Sequence, residues 1–393
     1  MIFNAFQDKT LPLLGFGTMR LPTHPDGTID EAQVAEMTRV AMENGVNYFD
    51  TAYPYHAGES ERVIGRVLKA YPRDSYFLAT KYPGHQLMRD GHNPALVFED
   101  QLKKCGVEYF DFYLLHNVYE RSMDTYLDPK WGIIDYFREQ KQLGRIKHLG
   151  FSTHAETKGL EDFLKICGED MEFCQIQLNY LDWTLQDAKG KYDLLTKWNI
   201  PVWVMEPVRG GKLAQLSPAA EASLRAFRPD VSIASWCFRF LQELPNVKMV
   251  LSGMSNMEQM QDNIRTFRER QPLNTEELDT LLRIADSMQS SLPCTACRYC
   301  CDGCPKGLDI PNLIAIYNEI RYSPDVNSAM HIEFLPEEKK PSACIACGKC
   351  SQICPQNIDI PEALKDLNQR LAKIASWEKI SYEREEIAKK TRT

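Results

Sequence analysis

Leu13-Leu14-Gly15-Phe16-Gly17-Thr18-Met19-Arg20 is the stretch on which the fold turns. It reads as a short apolar strand running into a glycine-bearing loop, the place where an open doubly wound sheet carries G-x-G-x-x-G. Here Gly15-Phe16-Gly17 continues into Thr18-Met19-Arg20, so the last glycine of that fingerprint is missing. Outward from it, to about residue 270, short β-branched or aromatic runs alternate with longer amphipathic stretches. The expected strands are Leu13–Gly17, Tyr48–Thr51, Tyr76–Thr80, Phe112–Leu115, His148–Phe151, Phe173–Ile176, Val202–Met205 and Lys248–Leu251. The expected helices are Asp30–Asn44, Glu61–Ala70, Pro94–Cys105, Ile133–Leu143, Glu156–Ile166, Leu185–Trp198, Ile233–Leu241 and Met257–Phe267. Eight strand–helix pairs in strict order fit a (β/α)8 barrel, an α/β fold, better than an open sheet. Thr28-Ile29-Asp30-Glu31 reads as a capping box opening the first helix, and Gly45 stops it.

A further helix, from Asn274-Thr275-Glu276-Glu277 to about Ser290, braces the barrel. This divides the 393 residues into a barrel domain, 1–291, and a second domain, 292–393, that ends in a helix. Hydrophobic residues at 44% and charged residues at 25% leave ample apolar material for a large core. The net charge of −8 argues against an extended nucleic-acid surface. Lys389, Lys390 and Arg392 form a short basic tail behind Glu383, Glu385 and Glu386 and suit a solvated helix end. Met1–Thr10 carries no secretory apolar run, and no segment approaches the ~18 apolar residues of a membrane helix. A cytoplasmic protein with no membrane or nucleic-acid partner is expected.

The second domain is marked by cysteine. Of thirteen cysteines, Cys105, Cys167, Cys174 and Cys237 sit in apolar surroundings and read as small packed residues. The other nine fall between Cys294 and Cys354. In a reducing compartment such clustering argues for metal rather than disulfides. Cys294, Cys297, Cys300 and Cys304 recur 50 residues on as Cys344, Cys347, Cys350 and Cys354. The flanks recur too: Cys304-Pro305 and Cys354-Pro355 each lead through Asp-Ile-Pro into a helix whose first turn holds Pro311 or Pro361.

Both halves read C-x2-C-x2-C-x3-C-P, the ferredoxin spacing in which the fourth thiolate ligates the other cluster. This puts Cys294, Cys297, Cys300 and Cys354 on one 4Fe–4S cluster, and Cys344, Cys347, Cys350 and Cys304 on the other. Structural zinc prefers paired C-x2-C knuckles, a poor match to three evenly spaced cysteines plus C-P. Cys301 is surplus to the motif and reads as packing. The domain is therefore expected to be a small, largely helical, ferredoxin-like module.

The strand ends carry a second pattern. Strand two gives Asn47-Tyr48-Phe49-Asp50-Thr51-Ala52-Tyr53-Pro54-Tyr55, then Gly58-Glu59-Ser60-Glu61. Strand three ends Ala79-Thr80-Lys81 and strand four Leu114-Leu115-His116. Over residues 10–290 the chain resembles the aldo/keto reductases, specifically the subgroup with a C-terminal ferredoxin-type domain. The resemblance implies Tyr55 as general acid, with Asp50, Lys81 and His116 tuning and orienting it. Physics agrees, because carbonyl reduction needs a proton donor for the oxygen. A tyrosine, of pKa ~10, becomes a better one beside an ammonium. Lys81 fills that role if Asp50 holds it, and His116 directs the carbonyl oxygen. Singly, Asp50 suits a loop cap, Tyr55 surface packing, Lys81 a snorkelling chain and His116 a core histidine. Together, at consecutive strand ends, they read as a site.

The same resemblance implies cofactor contacts from Thr18, Met19, Ser152, Gln175, Met205, Pro207, Arg209, Gly211, Ser252, Gly253, Asn256, Gln259 and Asn263. Ser152 and Gln175 take the nicotinamide amide, Arg209-Gly210-Gly211-Lys212-Leu213 the pyrophosphate, and Ser252–Asn263 the adenosine phosphate. Three departures stand out. Thr153 replaces an asparagine common in the family, Met205 a stacking tyrosine, and Gln259 the basic residue that grips a 2′-phosphate. NADP(H) is thus the family's implication, with NAD(H) open. The expected function is NAD(P)H-dependent reduction of a small carbonyl, or the reverse alcohol oxidation, coupled to or braced by two 4Fe–4S clusters. The alternative is an electron-transfer protein or flavin-mediated reductase serving a redox partner protein. A barrel phosphate site can hold FMN, although no motif calls for it. The loops Tyr82–Asn93 and Asn117–Trp131, with Tyr119, Tyr126 and Trp131, are expected to line the substrate pocket.

Overall fold

The structure, a computed structural model, describes residues 1–85, 93–120, 122–288, 292–322 and 326–374. Part of the Tyr82–Asn93 loop, the helix end at Ser290 and the Lys389–Arg392 tail lie outside the described residues. The chain divides into two compact units between Leu282 and Arg283. That break falls inside the helix Thr275–Met288, earlier than the boundary expected after residue 291.

The chain opens with an antiparallel hairpin, β1 Phe3–Phe6 and β2 Lys9–Pro12. Eight parallel strands follow: β3 Leu14–Gly17, β4 Tyr48–Asp50, β5 Phe77–Tyr82, β6 Phe110–Leu115, β7 Ile146–Thr153, β8 Cys174–Gln177, β9 Val202–Met205 and β10 Val247–Ser252. They close in sequence order, β10 returning to pair with β3 through Val250–Leu14, Leu251–Gly15 and Ser252–Phe16. The barrel is filled by Tyr48, Ala79, Phe112, Leu114, Phe173, Trp203, Met249 and Leu251. These belong to alternate positions of the strands, as a pleated wall requires. Phe6 plugs the lower mouth, its ring against those of Phe112, His148, Phe173 and Trp203. The hairpin was absent from the sequence reading. Its strands are only four residues long, with Gln7-Asp8 between them, so Met1–Thr10 reads as a polar lead-in.

Two local expectations are corrected. Asp30, not Thr28, caps the helix Glu31–Glu43, its carboxylate accepting the Gln33 amide at 2.9 Å. Thr28 instead bonds to Asp26, and Glu31 pairs with Arg66. A reciprocal capping box does occur at Asn274 and Glu277, each side chain taking the other's amide at 2.9 and 2.8 Å. The expected helix Leu185–Trp198 is two, Asp182–Leu185 and Ala188–Lys197. They break where Asp187 turns left-handed (φ 49°), caps the second and accepts the Thr157 hydroxyl.

The second unit shows its repeat in the backbone. Short helices Tyr299–Asp302 and Lys349–Ile353 each carry the third cysteine of a triplet, and Ile310–Tyr322 and Ile360–Leu371 follow the C-P steps. Left-handed residues recur 50 apart: Ala296 with Ala346, Arg298 with Gly348, Gly307 with Asn357. Leu308, Ile310, Ile314, Ile358, Ile360 and Leu364 fill a core that also takes in Cys294, Cys300, Cys350 and Cys354. Cys105, Cys167, Cys174 and Cys237 are all buried in the barrel unit. No described helix is long and apolar enough to cross a membrane.

Candidate active site and cysteine module

The upper, C-terminal rim of the barrel collects the residues singled out in the sequence. Asp50 ends β4, Lys81 is the fifth residue of β5, and His116 directly follows β6. Lys81 is fully buried and donates to Asp50 Oδ2 at 2.6 Å and to the Thr51 carbonyl at 2.7 Å. Burial depresses the Lys81 ammonium and raises the Asp50 carboxyl, each opposed by the partner's charge. Tyr55 lies on a tight turn, Tyr55–Gly58, bent by left-handed His56 and Ala57. Its ring has Lys81 Nζ 5.1 Å from the centroid and the His116 ring edge-on at 6.1 Å. The four residues therefore meet.

Burial, with His85, Lys81 and His154 nearby, pushes His116 well below the ordinary histidine range, so its ring is neutral. Its buried Nδ1 has no hydrogen-bond partner among the described residues.

Behind Lys81 runs a buried network the sequence reading passed over. Glu61 accepts from Thr80 at 2.6 Å and Gln101 at 2.7 Å. Gln101 also donates to the Lys81 carbonyl at 3.0 Å and accepts from Tyr113. Burial raises Glu61. An acidic residue on the apolar face of Glu59–Leu68 is the sequence signal for Glu61. His85 was missed as well. Its ring stands 4.7 Å from that of His116, and burial lowers it to about 4. Nothing local in its sequence marks it. Tyr126 is buried, its hydroxyl within 2.6 Å of the His116 carbonyl, so it packs the loop down.

The expected cofactor residues divide. Gln175 on β8 is buried with Oε1 lacking a partner among the described residues, an open acceptor for a carboxamide. Ser152 on β7 accepts the Asn117 amide at 2.8 Å and retains its hydroxyl proton as donor. Thr153 is committed to its own loop, donating to the Val118 carbonyl and accepting the Ala155 amide. Met19 and Met205 are half-buried on this rim, and Pro207 is buried. Gly211 is left-handed (φ 94°) with open space where a side chain would stand, leaving its backbone approachable. Gly253 packs against the Arg20 side chain.

Other expected residues face inward. The Thr18 hydroxyl is spent on the Asp50 carbonyl and Ser60. Arg209 is buried, its Nε 3.3 Å from Asp182. Asn263 donates to Ser252 at 2.9 Å, fastening helix Met257–Thr266 to β10. Asn256 accepts the Gln259 amide at 2.9 Å, while Gln259 Oε1 accepts the Ser255 amide at 2.8 Å. An orphan buried amide acceptor and an uncluttered glycine turn, each following from a barrel strand or the loop after one, fit a nicotinamide nucleotide.

In the module the cysteines line two small cavities. Cys294, Cys297 and Cys300 share the first with Cys354, and Cys344, Cys347 and Cys350 share the second with Cys304. Among the described residues no three His, Cys, Asp or Glu side chains converge on a point that would hold a single ion. Four thiolates set around an open space suit a cluster, where each binds its own iron, rather than zinc. Cys301 lines neither cavity and packs against the module core.

Comparison with known proteins gives two matches along the chain. The model of the aldo/keto reductase family covers residues 13–286, and that of a 4Fe-4S dicluster domain covers residues 293–358. The chain is 31% identical over 149 residues to the aldo-keto reductase YhdN of Bacillus subtilis, a match over 35% of this chain and 42% of that protein. It is 25% identical over 308 residues to the uncharacterized oxidoreductase YqkF of the same organism, covering 70% and 92%. An aldo-keto reductase from Klebsiella pneumoniae, solved in complex with NADPH, superposes with a TM-score of 0.58 at 19% identity. That match covers 72% of this chain and 96% of the solved one.

Proposed function

The chain belongs to the aldo/keto reductase family and carries an iron–sulfur domain, and on that premise we propose that it reduces a small carbonyl compound with a nicotinamide nucleotide. The reductase is residues 1–291, and residues 292–393 hold two 4Fe–4S clusters. The observation that carries the reading is the Asp50–Lys81 pair, buried, with its ammonium 5.1 Å from the Tyr55 ring.

The nicotinamide, when bound, supplies hydride to the carbonyl carbon. Gln175 Oε1 would accept from its carboxamide, and the Ser152 hydroxyl would donate to it. Tyr55 gives its hydroxyl proton to the carbonyl oxygen. Lys81 favours the phenolate that remains, and Asp50 keeps Lys81 from swinging away. His116, neutral through burial, offers a hydrogen bond to the same oxygen without competing as an acid. The Glu61–Thr80–Gln101 network holds β5 and the helix behind it, so the Lys81 stem has one course.

The clusters would be held by Cys294, Cys297, Cys300 and Cys354, and by Cys344, Cys347, Cys350 and Cys304. When bound they would supply one-electron transfer to or from a redox partner protein. Tyr55→Phe tests the reductase reading: turnover of any carbonyl that the wild type reduces should fall at least about a hundredfold, with nucleotide affinity nearly unchanged. Equal turnover removes Tyr55 as the acid.

A further inference from the structure

Asn256 and Gln259, where the family resemblance puts the adenosine end of the cofactor, stand in the wall of an open groove of about 500 Å³. A 2′-phosphate carries close to two negative charges at neutral pH and needs a cation or free donors to receive it. The groove offers neutral side-chain donors but no cation that is free of a carboxylate. Gln259 stands where the family's basic residue falls. Its side-chain carbonyl is turned back onto the Ser255 amide, and its backbone amide donates to the Asn256 side chain. Both groups are used in capping helix Met257–Thr266. That helix start favours negative charge, but Glu258 in its first turn already supplies it.

The two guanidiniums in the wall are engaged. Arg265 donates to Asp262 at 3.0 Å, and Arg225 lies 3.6 Å from Glu221. The carboxylates of Glu258 and Asp230 also line the groove, and among the described residues neither has a cation within ion-pair distance. The wall thus sets three carboxylates against two arginines, with the arginines neutralised first. A bare ribose 2′-hydroxyl meets no penalty there, whereas a phosphate meets two unpaired negative charges.

We infer that the site selects a nicotinamide nucleotide without a 2′-phosphate, NADH over NADPH, through Gln259, Glu258 and Asp230. This rests on the reductase reading and refines it, since the selecting residues lie away from the Tyr55 tetrad.

Full-length protein, purified anaerobically with its clusters, is titrated with NADH and with NADPH by quenching of intrinsic fluorescence. NADH should bind at least about tenfold more tightly, with the gap narrowing as salt rises. The double variant Glu258→Gln, Gln259→Arg, confirmed folded by circular dichroism, should gain about tenfold or more in NADPH affinity while NADH moves less than about threefold. Wild type that binds NADPH as tightly as NADH overturns the inference, as does a double variant with unaltered preference. Binding of neither nucleotide overturns the reductase reading itself, and this inference with it.

Discussion

Replacing Glu172 with glutamine should destabilise the barrel by about 3 kcal/mol at neutral pH and by almost nothing near pH 2. Glu172 sits just ahead of β8 on the barrel floor. Its carboxylate takes the Gln7 amide at 2.7 Å, the Leu149 backbone amide at 3.0 Å, His148 Nδ1 at 2.9 Å and Lys141 Nζ at 2.6 Å. Burial pushes the carboxyl up, but His148, Lys141, the Leu149 amide and Gln7 together outweigh it and bring Glu172 from 4.5 down to about 2. At about 1.4 kcal/mol per pH unit, that gap is worth about 3 kcal/mol. Because the folded value lies below the unfolded one, the contribution is whole above about pH 4.5 and drains away as pH falls towards 2. Glutamine keeps the shape and one acceptor, so the loss measures charge rather than packing. The assay is urea unfolding of wild type and Glu172→Gln, followed by tryptophan fluorescence with Trp203 in the barrel core as reporter, at pH 7, 5 and 3. Comparing the two proteins at each pH cancels any acid effect common to both. A difference below about 1 kcal/mol at pH 7, or one unchanged at pH 3, would refute the reasoning.

Lys81→Met should cut carbonyl turnover by about 10²- to 10⁴-fold and leave nucleotide affinity within about threefold, measured by steady-state kinetics beside fluorescence titration. Cys354→Ala should damage the cluster of Cys294, Cys297 and Cys300 more than that of its sequence neighbours, read by anaerobic iron count and EPR of the reduced variant. A fragment holding one repeat that builds a stable cluster from its own four cysteines would contradict this. Asn274→Ala removes one half of the reciprocal cap on helix Thr275–Met288 and should cost about 1 kcal/mol in urea unfolding.

The features legible without a structure are those that repeat at short range. Alternating apolar runs marked eight barrel strands to within a few residues, because a strand's periodicity is a property of the residues within it. Val202–Met205 matches end for end, while β7 runs two residues further at each end than His148–Phe151. Cysteine spacing and the C-P steps were equally plain, since ligand number and reach are set within a dozen residues. Asp50, Lys81 and His116 could be placed at strand ends for the same reason, while their roles and that of Tyr55 followed from the resemblance to the aldo/keto reductases.

What required the closed barrel was every relation between distant segments. The hairpin's place under the barrel depends on Phe6 meeting Phe173 and Trp203, far along the chain. His85 gains its meaning only beside His116, and Glu61 only beside Gln101. Arg209 reads as a phosphate ligand in its glycine-rich loop, and only the fold shows it buried with its Nε 3.3 Å from Asp182. Gln259 reads as a missing cation, and only the geometry of the helix start shows its side-chain carbonyl and backbone amide spent on a cap. A residue's type determines which bonds it can make. Which of them it does make follows from the partners that closure of the chain brings within about 3 Å, and no local pattern encodes those.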